Sequence, residues 1–120
     1  MIYNGVLRGL VDATEANGYA TTLVVLESAI KKLGAMTPMP EGGLVYRGIG
    51  GKGMPNQFKK ADKYGVRGGT EPGVLSTTTK REVALEYSKS DDSLWSILME
   101  MEVGGIGRPA CISCVSQYKG

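Results

Sequence analysis

Four consecutive hydroxyl residues, Ser76, Thr77, Thr78 and Thr79, stand where a short apolar run over Val74–Thr77 meets an amphipathic stretch from about Lys80 to Ser88. The run reads as a buried strand and the stretch as a helix, with Val83, Ala84 and Tyr87 on one face. Thr79 is placed to cap that helix by accepting a hydrogen bond from a free N–H of its first turn. One cap leaves Ser76, Thr77 and Thr78 over. They are either a polar turn or a set of short donor–acceptors that fix a ribose or an amide. Arg47 is a second candidate. It closes the strand Leu44-Val45-Tyr46-Arg47 and precedes Gly48. Such an arginine is either a surface residue or a rigidly mounted guanidinium that forks onto a phosphate or carboxylate. Gly48 beside it lets a ligand approach the backbone.

Two further pairs have spacings that chemistry uses. Glu100 and Glu102 fall on one face of a strand, an arrangement that serves acid–base or glycosyl chemistry when it lines a cleft. The apolar alternation on the other face favours a solvated outer face instead. Cys111-Ile112-Ser113-Cys114 has C-x-x-C spacing. Read as part of a strand over Ala110–Val115, its thiols point to opposite faces. No second pair and no histidine is present to complete a zinc site, so both read as small apolar residues and no metal is expected.

The elements that must position these residues follow from periodicity and punctuation. A helix is predicted from about Thr14 to Leu33, started by Asp12 and Glu15. Its apolar stripe is Tyr19, Leu23, Leu26, Ile30 and Leu33, widened by Val24 and Val25, and Gly34 follows its end. Gly48-Ile49-Gly50-Gly51-Lys52-Gly53 matches G-x-G-x-x-G, but Met54-Pro55 stands where a dinucleotide-binding helix must begin, so the run reads as a flexible turn. Pro55 opens a short helix over Asn56–Tyr64 anchored by Phe58. After a turn at Asp91-Asp92-Ser93, residues Trp95 to Val103 alternate apolar and polar with period two, the clearest strand signal in the chain. A helical lead over residues 1–40 followed by a β core over 41–120 reads as one α+β domain.

With 120 residues, 42% hydrophobic and 22% charged, the chain suits a globular fold with one core. The net charge of +2 is spread along the sequence, so neither nucleic acid nor an anionic membrane is an expected partner. No signal-peptide pattern or membrane-spanning run is present, and an intracellular location is the default expectation. The absence of histidine excludes Ser-His-Asp, Cys-His and His-ligated metal chemistry.

In order and spacing, Val45-Tyr46-Arg47-Gly48, Met54-Pro55-x-x-Phe58, Gly68-Gly69-Thr70-Glu71-Pro72-Gly73 and Ser76-Thr77-Thr78 with the helix carrying Ala84 and Tyr87 resemble the R-S-E class of mono-ADP-ribosyltransferases, the arginine-type and toxin-like group. The resemblance runs from about Tyr19 to Gly120. It implies a mixed, small β-sheet sandwich that bends NAD in a cleft, cleaves its N-glycosidic bond and passes ADP-ribose to a protein side chain, with arginine the expected acceptor. By the same resemblance Arg47 binds the NAD diphosphate, and Gly48 offers backbone hydrogen bonds to the nicotinamide amide. Ser76 binds the nicotinamide ribose and orients a catalytic glutamate, Thr77 and Thr78 support that geometry, and Tyr87 borders the nicotinamide pocket or packs within the domain. The family's E-x-E or Q-x-E motif is expected after Ser116-x-Tyr118, where the chain reaches Gly120, and Glu100 and Glu102 lie one strand too early to take that role. The expectation is therefore an incomplete catalytic domain, inactive or nearly so in this form. The alternative is a non-catalytic NAD-binding or protein-interaction module on the same scaffold.

Overall fold

The computed structural model describes residues 2–12, 18–89, 95–104 and 107–117. The start of the expected long helix at Thr14 and the Asp91-Asp92-Ser93 turn lie outside the described residues. The chain divides into two compact units that interleave in sequence: residues 1–44, 72–75 and 102–120 form one, and residues 45–71 and 76–101 the other.

The first unit is mainly helical. Helix α1, Ile2–Leu7, has no counterpart among the sequence expectations. It ends in a Schellman motif. Gly9 N–H donates to Val6 O (3.0 Å), Leu10 N–H donates to Gly5 O (2.9 Å), and Gly9 takes the positive φ of 68° that this closure needs. Helix α2, Ala20–Met36, runs three residues past the expected end. Gly34 is therefore inside the helix rather than beyond it, and it is buried because the carbonyls of Arg108 and Pro109 approach its Cα. Pro38 stops the helix by forcing Thr37 into extended backbone at ψ 125°. Leu23, Leu26 and Ile30 are partly covered as expected, but Val24 and Val25 do not widen the covered face and are exposed.

The expected strand at Val74–Thr77 does not form. Both backbone groups of Val74 are taken by one side chain in α1: Asn4 Nδ2 donates to Val74 O (3.0 Å), and Val74 N–H donates to Asn4 Oδ1 (2.9 Å). An amide thus occupies the place of a ladder partner. The expected strand at Ala110–Val115 is also absent. Cys111 N–H donates to Thr37 Oγ1 (2.8 Å), Arg108 Nη2 donates to Thr37 O (3.0 Å), and a turn follows in which Ile112 O accepts from both Val115 and Ser116.

Among the described residues the sheet has two strands, β1 at Leu44–Gly50 and β2 at Ser96–Glu102. Alternation identified β2 correctly. The pairing is antiparallel, and both ends set the same register: Val103 N–H donates to Gly43 O (2.8 Å) and Gly51 N–H to Trp95 O (3.2 Å). Strand β1 extends through Gly48, Ile49 and Gly50, so the first half of the glycine run is strand rather than turn. Helix α3 spans only Asn56–Lys59, because Asp62 Oδ1 then captures the N–H groups of Tyr64 (2.8 Å) and Val66 (2.9 Å) in a local turn. Helix α4, Arg81–Ser88, begins close to its expected position. Thr79 does not cap it. The hydroxyl in use belongs to Thr78, whose Oγ1 accepts from Lys80 N–H at 3.1 Å.

Among the described residues, the buried hydrophobic ones are Val45 and Ala84, both in the second unit. Here α4 lies against β1 at very short range. A Cβ built on Gly48 would stand 1.8 Å from Ala84 O and 2.7 Å from Ser88 N, so only glycine admits the helix. Ala84 and Ser88, four apart, form the inner face of α4, and the buried Ser88 hydroxyl is satisfied by donating to Leu85 O at 2.7 Å. Tyr87, expected on that face, is 60% exposed.

Candidate functional site

Within the second unit, the two motifs singled out in the sequence meet. Arg47 Nη1 donates to Ser76 O at 2.7 Å across 29 residues of sequence. Tyr46 and Thr78, their neighbours, form an isolated antiparallel bridge with Tyr46 N–H to Thr78 O at 2.7 Å and Thr78 N–H to Tyr46 O at 2.9 Å. The local cause is the parity of β1. Its odd residues turn their backbone groups toward β2, so the even ones turn theirs to the opposite edge, where Thr78 pairs with Tyr46. The ladder goes no further. Gly48, two residues on, directs its N–H and C=O to the same edge, beyond the bridge.

The same parity sorts the side chains. Arg47 leaves the sheet with Val45 and Ile49 on the face away from Gly48 Cα, and hence away from α4. It is half-buried, and one of its guanidinium N–H groups is spent on Ser76 O, leaving a planar cation with further donors beside a strand edge. Ser76 and Thr77 are exposed, while Thr78 is partly covered and its hydroxyl is occupied by Lys80 N–H. The Thr78 hydroxyl is thus engaged with the backbone just before α4. The register places Tyr46 opposite Glu100 and Arg47 opposite Met99, so Glu100, and Glu102 two residues along, leave β2 on the face opposite Arg47. Both glutamates are exposed. Tyr87 is exposed on α4 and is not joined to Arg47 or Ser76 by any described hydrogen bond or ring contact.

Arg47 thus keeps guanidinium donors suited to a phosphate or carboxylate, and Ser76, whose carbonyl it bonds, is exposed. Among the described residues, no group of three or more Cys, Asp or Glu converges to hold a metal, and no helix is long and apolar enough to cross a membrane. A separate surface cleft of about 440 Å³ lies among Asn56, Gln57, Lys60, Asp62, Val66 and Gly68 and contains none of Arg47, Gly48, Ser76, Thr77, Thr78 and Tyr87. It is built by the Asp62 turn and by Gly68 N–H donating to Gln57 O at 2.9 Å.

Two features escaped sequence reasoning. Gly48 is needed for helix packing, because α4 leaves no room for a Cβ there; the signal for it was the pair of small residues Ala84 and Ser88, spaced to sit on one helical face. The C-x-x-C segment is a turn, and both thiols are exposed and free rather than packed as small apolar groups. Comparison of the chain with models of known protein families, with curated proteins and with solved structures finds no match.

Proposed function

We propose that the chain binds NAD at Arg47, Gly48 and Ser76 in the manner of an R-S-E mono-ADP-ribosyltransferase, on a scaffold related to that family's β sandwich. The observation that carries this reading is the 2.7 Å bond from the Arg47 guanidinium to Ser76 O, reinforced by the neighbouring Tyr46–Thr78 bridge. Two motifs selected from sequence for one ligand are thereby neighbours. In this reading Arg47 forks onto the diphosphate, the Gly48 N–H and C=O hold the nicotinamide amide, and the Ser76 hydroxyl holds the ribose. Thr77 and Thr78 shape the edge, and Tyr87 has no assigned contact. The reaction breaks the bond between nicotinamide nitrogen and ribose C1′. The electron pair leaves with nicotinamide, and a nucleophilic side chain of an acceptor protein, arginine by the resemblance, attacks C1′.

That reaction develops positive charge on the ribose, which a carboxylate stabilises. Glu100 and Glu102 leave β2 on the face opposite Arg47, and this favours a second reading, a module that binds NAD without turning it over. Calorimetric titration with NAD, run beside an assay for nicotinamide release, separates the readings. Binding that Arg47→Ala abolishes supports the site. Release well above the uncatalysed rate supports the transferase, and binding without release supports the module. Absence of NAD binding by the unmodified chain contradicts both.

A further inference from the structure

The turn at Cys111–Ser116 lies in the first unit and takes no part in the proposed NAD site. Its backbone is fixed at both ends. Cys111 N–H donates to Thr37 Oγ1 at 2.8 Å, and the same hydroxyl donates to Leu33 O at 2.7 Å, which ties the segment to the last turn of α2. Beyond it, Val115 and Ser116 N–H converge on Ile112 O at 3.0 and 2.8 Å, closing a tight reversal around Ser113 and Cys114. Cys111 Sγ reaches forward into that reversal and stands 3.1 Å from Ser113 Oγ, the residue that adjoins Cys114. Both thiols are free and exposed. A strand would have sent them to opposite faces; a turn removes that obstacle.

We propose that Cys111 and Cys114 form a redox-active dithiol that a low-molecular-weight disulfide closes to an intrachain disulfide. Cys111 is the attacking group. The Ser113 side chain, and secondarily its backbone, hydrogen-bonds the sulfur and holds this thiol below the ordinary cysteine range, and the thiolate is the nucleophile in exchange. The Cys111 thiolate attacks one sulfur of the small disulfide. That S–S bond breaks, a mixed disulfide forms, and one small thiolate leaves and takes up a proton. The Cys114 thiolate then attacks the Cys111 sulfur, breaks the mixed disulfide and expels the second small thiol. Two protein thiols are oxidised, and one small disulfide is reduced to two thiols.

The test uses the whole chain, incubated in glutathione buffers of graded oxidised-to-reduced ratio, quenched by alkylation and weighed intact. The unmodified chain should pass in a single transition from two alkylatable thiols to none, become two hydrogens lighter and stay monomeric. Cys114→Ser should accumulate one glutathione on Cys111, because the resolving thiol is gone. Cys111→Ser should acquire glutathione on Cys114 several-fold more slowly than Cys114→Ser acquires it on Cys111, and Ser113→Ala should reduce that difference. Because both positions are exposed, serine replacement leaves the fold intact, and a circular dichroism spectrum checks this. An unmodified chain that ends with two bound glutathiones, or as a disulfide-linked dimer, overturns the proposal.

Discussion

Gly48 and Gly34 each let backbone meet backbone, one in each unit, and they differ in how much a side chain would cost. A Cβ on Gly48 would lie 1.8 Å from Ala84 O, inside a helix whose own hydrogen bonds fix that carbonyl in place. A Cβ on Gly34 would lie 3.3 Å from Arg108 O and 3.5 Å from Pro109 O, in a loop tethered to Thr37 through side chains. In one case a regular element stands opposite and cannot yield. In the other a loop stands opposite and needs to move only a few tenths of an ångström. What faces a glycine, more than how buried it is, sets its tolerance.

The sharpest way to break this comparison is Gly48→Ala. It should cost about 3 kcal/mol or more, at the upper end of overpacking penalties, with a matching fall in the urea midpoint. Since the obstacle is a carbonyl and not a side chain, adding Ala84→Gly to Gly48→Ala should restore none of the loss. Recovery in the double variant would show that the helix slides. Next in size is Ser88→Leu on the same inner face, expected to cost about 1–3 kcal/mol by overpacking, whereas Ser88→Ala should cost about 1 kcal/mol or less, because the donor is deleted along with its need for a partner. Gly34→Ala should stay within about 1 kcal/mol of the unmodified chain, the gain in helix propensity being offset by the tightened contact with Arg108 O. A loss comparable to that of Gly48→Ala would erase the distinction.

The smallest effect belongs to the surface of α2, where Lys31 Nζ lies 2.6 Å from Glu27 Oε1. The hydrogen bond from Lys31, with its charge second, holds the Glu27 carboxyl below the ordinary range. A carboxyl whose folded pKa is depressed contributes stability that is present above its unfolded pKa and lost as pH falls through the folded one. Lys31→Gln should therefore lower the melting temperature slightly near neutral pH and not at all in strong acid. An undiminished difference in acid would assign the effect to something other than the ion pair.

What the sequence revealed was local. Residues 96–102 alternate over enough positions that only a half-covered strand satisfies the pattern, and α4 carries a helical period. Val74–Thr77 and Ala110–Val115 are equally apolar but lack alternation, and their fate depends on distant partners. Asn4, 70 residues away from Val74, captures both its backbone groups, and Thr37, 74 residues from Cys111, captures the N–H there. No period in a short window reports such contacts. Helix α1 is six residues long and contains Gly5 and Asn4, too short and too weak in propensity to announce itself. At the site, the residue types of Arg47 and Ser76 were legible. That they lie together was expected only through the resemblance, which gives both to one ligand, and on adjacent strands; instead β1 and the hydroxyl run meet through a single bridge without a continuous ladder.

The central claim, that the strand edge beside Arg47 and Ser76 receives NAD, is tested most directly by titrating NAD into the isotope-labelled chain and following backbone amide resonances. The account predicts saturable shifts at Gly48, Ser76 and Thr77, little change at Cys111–Ser116, and loss of the response in Arg47→Ala. Shifts confined to the cleft at Asn56, Gln57, Lys60 and Asp62, or no shifts at all, would contradict it.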